Sequence, residues 1–193
     1  MEGMTRPTFA EMLAMPGVIE ECELRSTFGF MAYHGGALEE ATDVIARNAA
    51  AMCGASYYGV VQPESIQVHV SSIGVSPDQS AMLSTFLDHV EIVVTVHGFG
   101  RRPLPSSLLL GGTNRRLATH VAGHLRQALP DYSVVDDLDQ IPLDLRGVHA
   151  RNPVNFPRST GIQIELPPRI RSHAAHSQTL VETLATAALT WPP

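Results

Sequence analysis

"FMAYHGGALEEATDVIARNAA", residues 30–50, places a strand, a turn and a helix in direct succession. The aromatic and apolar run over 27–33 predicts a buried strand. Gly35 and Gly36 then interrupt the chain, and apolar residues recur at helical spacing over 37–53. A strand that passes through a glycine turn into an amphipathic helix is the repeating unit of α/β proteins.

The remainder of the chain repeats this alternation. Further strands are predicted at 57–62, 65–72, 91–96, 132–136 and 161–166, and further helices at 76–90, 113–129 and 172–191. This order predicts a three-layer α/β/α sandwich with a mainly parallel, mixed central sheet, in one domain over 1–193. The stretch 137–160 is rich in Pro, Asp, Asn and Arg, and is too long for an ordinary connection, so we interpret it as a functional loop.

Composition excludes several classes of partner. The formal net charge is -6, which argues against nucleic acid as a partner because phosphate binding needs an excess of basic groups. All 13 basic residues are arginines, so an anion site would use the planar guanidinium fork. Neither a signal peptide nor an apolar run long enough to cross a bilayer is visible. We expect a cytoplasmic protein, or one released by lysis, without a membrane partner.

Chemically capable residues stand at the ends of three predicted strands. His34, followed by Glu39, ends the first; His97 ends another; and Glu165 lies near the end of a third. Ligands of α/β sheets gather at the carboxyl ends of the strands. Two histidines and a carboxylate are a frequent catalytic zinc set, and a further glutamate can act as the general base.

The individual signals also permit simpler interpretations. Gly35 and Gly36 could only form a turn, with Glu39 favouring a helix N-terminus, and His97 could be a packing residue. His69 could enter the site as a proton donor or substrate contact, or could simply pack. Glu165 is more informative, because a carboxylate in the apolar "IQIEL" run is costly to bury without a partner.

Four blocks of sequence resemble the phage-type poly-γ-glutamate hydrolase family, small zinc amidohydrolases related in fold to carboxypeptidase A. The blocks are "HGGALEEATDVIA", "VVTVHGFG", "LLLGGTNRRLA" and "ARNPVNFPRSTGIQIELPPRIR", in the order of the family. The resemblance implies that His34, Glu39 and His97 bind Zn²⁺ and that Glu165 is the catalytic base. It implies hydrolysis of γ-glutamyl amide bonds by a metal-activated water.

A γ-linked glutamate polymer carries a free carboxylate on each unit, which arginines could bind. The candidate substrate-binding residues are Arg101, Arg102, Asn114, Arg115, Asn155 and Arg158. The family usually has a glycine-rich segment with an Asn-Arg-Gly run before the catalytic strand, where this chain has "NFPRSTG". That departure keeps a second hypothesis open, a zinc amidase for a peptidoglycan peptide or an N-acyl amino acid. A third is a non-catalytic metal-binding module, against which the presence of Glu165 argues.

Overall fold

The computed structural model describes residues 6–100 and 103–192. Within them, the strands are β1 (Ile19–Glu23), β2 (Phe28–Gly36), β3 (Ser56–Gln62), β4 (Ile92–Gly98), β5 (Ser107–Leu110), β6 (Ser133–Val135) and β7 (Gly161–Leu166). The helices are α1 (Phe9–Leu13), α2 (Thr42–Cys53), α3 (Ala81–His89), α4 (Arg115–Ala128), α5 (Pro168–Ser172) and α6 (Ala174–Leu189).

The strands form one mixed sheet in the order β1-β3-β2-β4-β7-β5-β6. The contacts of β2 with β3, of β2 with β4 and of β4 with β7 are parallel, whereas β1 and β5 each pair antiparallel with a neighbour. The predicted three-layer fold with a mainly parallel, mixed sheet is therefore confirmed. Because β2, β4 and β7 are parallel neighbours, their carboxyl ends lie side by side at one edge.

Alternation along the strands separates two hydrophobic clusters. On β4, Val94 and Val96 pack with α2, α4 and α6 on one face of the sheet, and Val93 packs with α1 and α3 on the other. By the period of two, His97 faces the same side as Val93. Towards the end of β4 this side is covered by the loop over 137–160 rather than by a helix, which leaves a recess above the strand ends.

Two predicted elements begin later than expected. The helix predicted over 37–53 begins at Thr42, because residues 37–41 form a turn. The helix predicted over 76–90 is α3, which begins at Ala81; Ser80 caps it by accepting a hydrogen bond from the Leu83 amide. Pro77 opens a separate short 3₁₀ turn.

The strand predicted over 65–72 is wrong, since this segment is irregular until a 3₁₀ turn at Ser72–Gly74. Its alternating pattern is real, but its backbone bonds to a side chain instead of a strand. The Gln62 amide accepts from the Val68 N–H and donates to the Val68 carbonyl, at 2.9 and 3.0 Å. Four elements, α1, α5, β1 and β5, were not predicted.

No helix in the described ranges has both the length and the apolar character needed to cross a membrane.

Candidate metal centre

A tight turn after β2 brings Glu39 back onto His34. The Glu39 N–H donates to the His34 carbonyl over 2.9 Å, and Glu39 Oε1 lies 3.0 Å from His34 Nδ1. Gly36 has φ +70°, and a Cβ there would stand 2.2 Å from the Gln62 carbonyl oxygen. Only glycine fits this position, so the turn depends on it.

A bulge in β2 turns two consecutive side chains towards the same neighbour. The pairing of β2 with β3 shifts register between Ala32 and Gly35. In a regular strand Tyr33 and His34 would point to opposite faces. Here both rings approach the ring of His97, with centroid separations of 4.9 and 5.1 Å.

His34, Glu39 and His97 together form the candidate ligand set. Their ligand atoms all lie within 4.8 Å of one another, and no other such group of three occurs in the described ranges. Glu39 Oε2 lies 3.3 Å from His97 Nδ1 and accepts the Gly98 N–H at 2.8 Å. Both histidines are almost fully buried. Two imidazoles and one carboxylate are the donors of a catalytic zinc site with an open position.

The outer nitrogen of His34 is also engaged. His34 Nε2 lies 2.7 Å from the Val70 carbonyl oxygen, which can only accept, so Nε2 carries a proton. This arrangement directs Nδ1 towards Glu39. A metal-binding histidine typically has such a partner behind it, which fixes the ring and its tautomer. The buried donors and their outer partners fit a bound metal ion.

Opposite charges in the cluster shift the pKa values of His34 and Glu39. Burial lowers the pKa of His34, but the charge of Glu39 and the hydrogen bonds to Glu39 and Val70 outweigh it, and the net shift is upward. Burial would raise the pKa of Glu39, but His34 and His97 reverse this and lower it well below its usual range. Without a metal, a proton on His34 therefore balances the Glu39 carboxylate.

Glu165 lies beside this cluster on the neighbouring strand. In the parallel pairing of β4 with β7, Glu165 is the partner of His97. Its side chain is 5% exposed, and Glu165 Oε1 accepts a hydrogen bond of 2.9 Å from Gln163 Nε2. A buried carboxylate is thus held one strand away from the candidate ligands, at the same edge of the sheet.

A cleft of about 650 Å³ opens above these four side chains. The loop over 137–160 forms one wall and residues 69–73 form the other. The His69 ring lies 4.8 Å from that of His34, between centroids. Besides the candidate ligands and Glu165, the lining includes His69, Ser71, Ser72, Ile73, Gly98, Phe99, Leu143, Asp144, Leu145, Gly147, Val148, His149, Asn152 and Gln163.

The residues predicted to bind substrate occupy different positions. Arg101 and Arg102 lie outside the described residues; in the sequence, one glycine separates them from the cleft residues Gly98 and Phe99. The Arg115 guanidinium donates to the carbonyls of Leu110, Gly112 and Asp136 beneath the start of α4.

The other three lie near the loop and not in the cleft lining. Asn114 caps α4 by accepting from the Leu117 N–H. Asn155 donates to the carbonyls of Gly147 and His149 and so holds one wall of the cleft. Arg158 is exposed.

Three residues of the site were not identified from the sequence: Tyr33, Asn152 and Gln163. Gln163 could have been noticed, because it lies two residues before Glu165 and therefore on the same face of the strand. Tyr33 is part of an apolar strand sequence, and its role depends on the bulge. Asn152 lies in an irregular loop whose path no periodicity predicts.

Comparison with known proteins places this geometry in context. Residues 10–187 match the model of the poly-gamma-glutamate hydrolase family. No curated protein sequence matches the chain. The structure of a bacteriophage poly-gamma-glutamate hydrolase is similar with a TM-score of 0.74 at 19% identity, over 89% of this chain and 87% of that one.

Two further structures share the fold. Zinc-free YndL has a TM-score of 0.76 at 20% identity, covering 90% of each chain. A metallo-carboxypeptidase from Burkholderia cenocepacia has a TM-score of 0.55 at 9% identity, over 92% of this chain and 65% of that one. At these identities the structures establish a common fold, and the family assignment depends on the sequence match. Because that match extends over nearly the whole chain, the protein belongs to the poly-gamma-glutamate hydrolase family and, as predicted, is a hydrolase.

Proposed function

We propose that this protein is a zinc-dependent hydrolase of γ-glutamyl amide bonds whose substrate is poly-γ-glutamate. One observation carries the proposal: the Glu165 carboxylate is the strand partner of His97, beside three convergent donor groups. A site that only captured a metal would not need a second buried carboxylate at this place. Family membership and the fold shared with zinc-free YndL and a metallo-carboxypeptidase support it.

His34, Glu39 and His97 would hold the ion. When bound, Zn²⁺ would supply a Lewis acid that acidifies water and polarises an amide carbonyl. The Glu165 carboxylate takes a proton from the water as its oxygen attacks the carbonyl carbon. It then returns that proton to the amide nitrogen, so that the carbon–nitrogen bond breaks and a neutral amine leaves.

The polymer brings one carboxylate per unit into an acidic protein, so cations are needed near the cleft. We assign this role first to Arg101 and Arg102, because only Gly100 separates them in sequence from the cleft residues Gly98 and Phe99. Arg158 could contact a more distant unit of the polymer. Asn114, Arg115 and Asn155 would act by holding the loop and the start of α4 in position.

The test is release of free amine from poly-γ-glutamate by the zinc-loaded protein, beside a sample treated with chelator. Cleavage that disappears with the metal and returns when zinc is added supports the proposal. Intact polymer after incubation with protein of verified zinc content would reject poly-γ-glutamate as the substrate.

A second candidate is a zinc amidase for an amide with an aliphatic group, such as an N-acyl amino acid. It is favoured by three apolar side chains in the cleft lining, Ile73, Leu143 and Val148, which are 40%, 81% and 44% exposed. Exposed aliphatic residues around a cleft indicate a partner with apolar surface. Assaying N-acyl amino acids and peptidoglycan peptides beside the polymer, with the same zinc-loaded sample, separates the two candidates.

A further inference from the structure

A continuous hydrogen-bond chain connects the candidate ligand His97 with Glu165 through three side chains. His97 Nε2 lies 3.0 Å from the Tyr33 hydroxyl, which lies 3.5 Å from Asn152 Oδ1. Asn152 Nδ2 donates to Gln163 Oε1 over 2.9 Å, and Gln163 Nε2 donates to Glu165 Oε1 over 2.9 Å. All five side chains belong to residues that are at most 5% exposed.

Two backbone groups fix the direction of this chain. Gln163 Nε2 also donates to the Leu145 carbonyl at 3.0 Å; a carbonyl can only accept, so this end of the Gln163 amide is the nitrogen. Asn152 Oδ1 accepts from the Val154 N–H at 3.2 Å, so this end of the Asn152 amide is the oxygen. Neither amide can be flipped without placing two acceptors or two donors against each other.

The direction bears on how the chain of hydrogen bonds meets His97. Asn152 Oδ1 can only accept, so a Tyr33 hydroxyl that donates to it presents a lone pair to His97 Nε2. With an ion held at Nδ1, the proton of His97 would lie on Nε2, where the Tyr33 hydroxyl can accept it. In the metal-free protein the Glu39 carboxylate, 3.3 Å from Nδ1, is itself an acceptor for a proton on Nδ1.

We propose that Tyr33, Asn152 and Gln163 are positioning residues that hold the His97 ring with Nδ1 towards the candidate metal position at one end of the chain and orient Glu165 at the other. The inference deepens the proposed function and rests on it for the roles of His97 and Glu165. It also assigns a task to the loop over 137–160, since Asn152 and the Leu145 carbonyl belong to it. The loop that walls the cleft is joined to the metal centre by the same bonds.

Zinc affinity can be measured without substrate, by titration of the metal-free protein with zinc. Circular dichroism of each variant checks that it is folded.

Tyr33→Phe removes only the hydroxyl, and Tyr58→Phe is its matched control. Tyr58 is equally buried, and its hydroxyl donates to Glu20 Oε1 over 2.6 Å on the other side of β3 from β2. In Tyr33→Phe we expect a zinc affinity lower by about 10- to 100-fold, because His97 loses the hydroxyl behind its ring. In Tyr58→Phe the zinc affinity should stay as in the unchanged protein. Equal effects, or none, in the two variants would contradict the positioning role.

Gln163→Met tests the other end of the chain, because it keeps the side-chain length and removes both polar groups. We expect kcat to fall by about tenfold or more, with KM and zinc content unchanged. A change confined to KM would contradict the orientation of Glu165. If no substrate is found, the zinc affinities of Tyr33→Phe and Tyr58→Phe still decide the inference at the His97 end, so its failure is distinct from that of the proposed function.

Discussion

At the residue scale, two carboxylates differ in their surroundings and therefore in their assigned roles. Glu39 is surrounded by donors: His34, His97 and the Gly98 N–H all face its oxygens. Glu165 is instead held by Gln163, which lies two residues before it on β7. A carboxylate among cations keeps its charge and suits a ligand, whereas one held beside the open position suits proton transfer.

Replacing the proposed base should separate catalysis from metal binding. For Glu165→Gln we expect zinc content to be unchanged and kcat to fall by about 100- to 10,000-fold, because the amide cannot accept the proton of the attacking water. Metal analysis and initial rates on the same sample measure both. Glu182→Gln, an exposed change on α6, is the control and should leave both unchanged. Activity that survives in Glu165→Gln would remove Glu165 from its role.

Zinc and a proton should compete for His34. Because the pKa of His34 is raised, the metal-free protein holds this proton at a higher pH than a free histidine would. Zinc must displace it, so zinc affinity should decrease as the pH falls through the pKa of His34. Titrations of zinc in buffers of different ionisation enthalpy measure the released protons. An affinity independent of pH would argue against His34 as a ligand.

The stability of the metal-free protein should depend on pH through His34 and Glu39. The raised pKa of His34 means that this residue stabilises the fold fully when the pH is below its ordinary pKa of 6.5. The contribution is lost as the pH rises through the pKa that His34 has in the folded protein. The lowered pKa of Glu39 means that this residue stabilises the fold when the pH is above its ordinary pKa of 4.5. The contribution is lost as the pH falls towards the pKa that Glu39 has in the folded protein. We therefore expect the highest Tm between about 4.5 and 6.5 without zinc. A Tm that rises steadily above this window would contradict the assignment.

At the element scale, the site depends on how β2 ends. The bulge between Ala32 and Gly35 turns Tyr33 and His34 towards His97, and the turn through Gly36 returns Glu39 to His34. Ala41, with φ +68°, closes this turn before α2 begins. Non-glycine residues in such conformations cluster at functional sites, because surrounding structure must hold them there.

Gly36→Ala should damage both the fold and the site. The added Cβ would meet the Gln62 carbonyl at 2.2 Å in a left-handed conformation, so we expect a loss of roughly 1–3 kcal/mol in the free energy of unfolding and weaker zinc binding. Gly123→Ala is the matched control, because it lies within α4 with no atom within 4 Å of the new Cβ. It should increase stability by about 0.5–1 kcal/mol. Urea titration of both variants measures the difference, and equal stabilities would disprove the steric role.

At the scale of the whole molecule, the parallel order of β2, β4 and β7 collects residues that are far apart in sequence. His34, His97 and Glu165 come from three strands and meet because the carboxyl ends of parallel neighbours share an edge. The loop over 137–160 then closes the recess that no helix covers. Asn155 ties this loop to Thr113, which precedes α4.

Asn155→Ala should loosen the wall of the cleft while leaving the sheet intact. The variant loses the bonds to the Gly147 and His149 carbonyls, so we expect faster amide exchange over 145–152. KM should rise by about threefold to tenfold, which corresponds to roughly 1 kcal/mol of lost hydrogen bonding. Asn48→Ala, an exposed change on α2, is the control. Unchanged exchange in the loop would show that Asn155 does not support it.

Several elements show what local patterns could predict and what they could not. The strands β2 and β4 follow from continuous apolar runs, and β7, α2 and α4 follow from apolar residues at strand or helix spacing. The segment 65–72 has the same alternation but no strand beside it, and Gln62 takes the place of one. The strands β1 and β5 are short, and it is their pairing with β3 and β7 that decides their conformation.

The sequence by itself determined the layer order, the candidate ligands His34, Glu39 and His97, and the position of Glu165 near a strand end. The layer order depends on periodicity, and the candidate ligands and Glu165 depend on residue type together with the resemblance to a known family, all of which a single sequence displays. Only the tertiary structure decided which side chains stand behind them. Tyr33, Asn152 and Gln163 come from a strand, a loop and another strand, and their hydrogen bonds exist only once the sheet has formed and the loop over 137–160 has packed onto it.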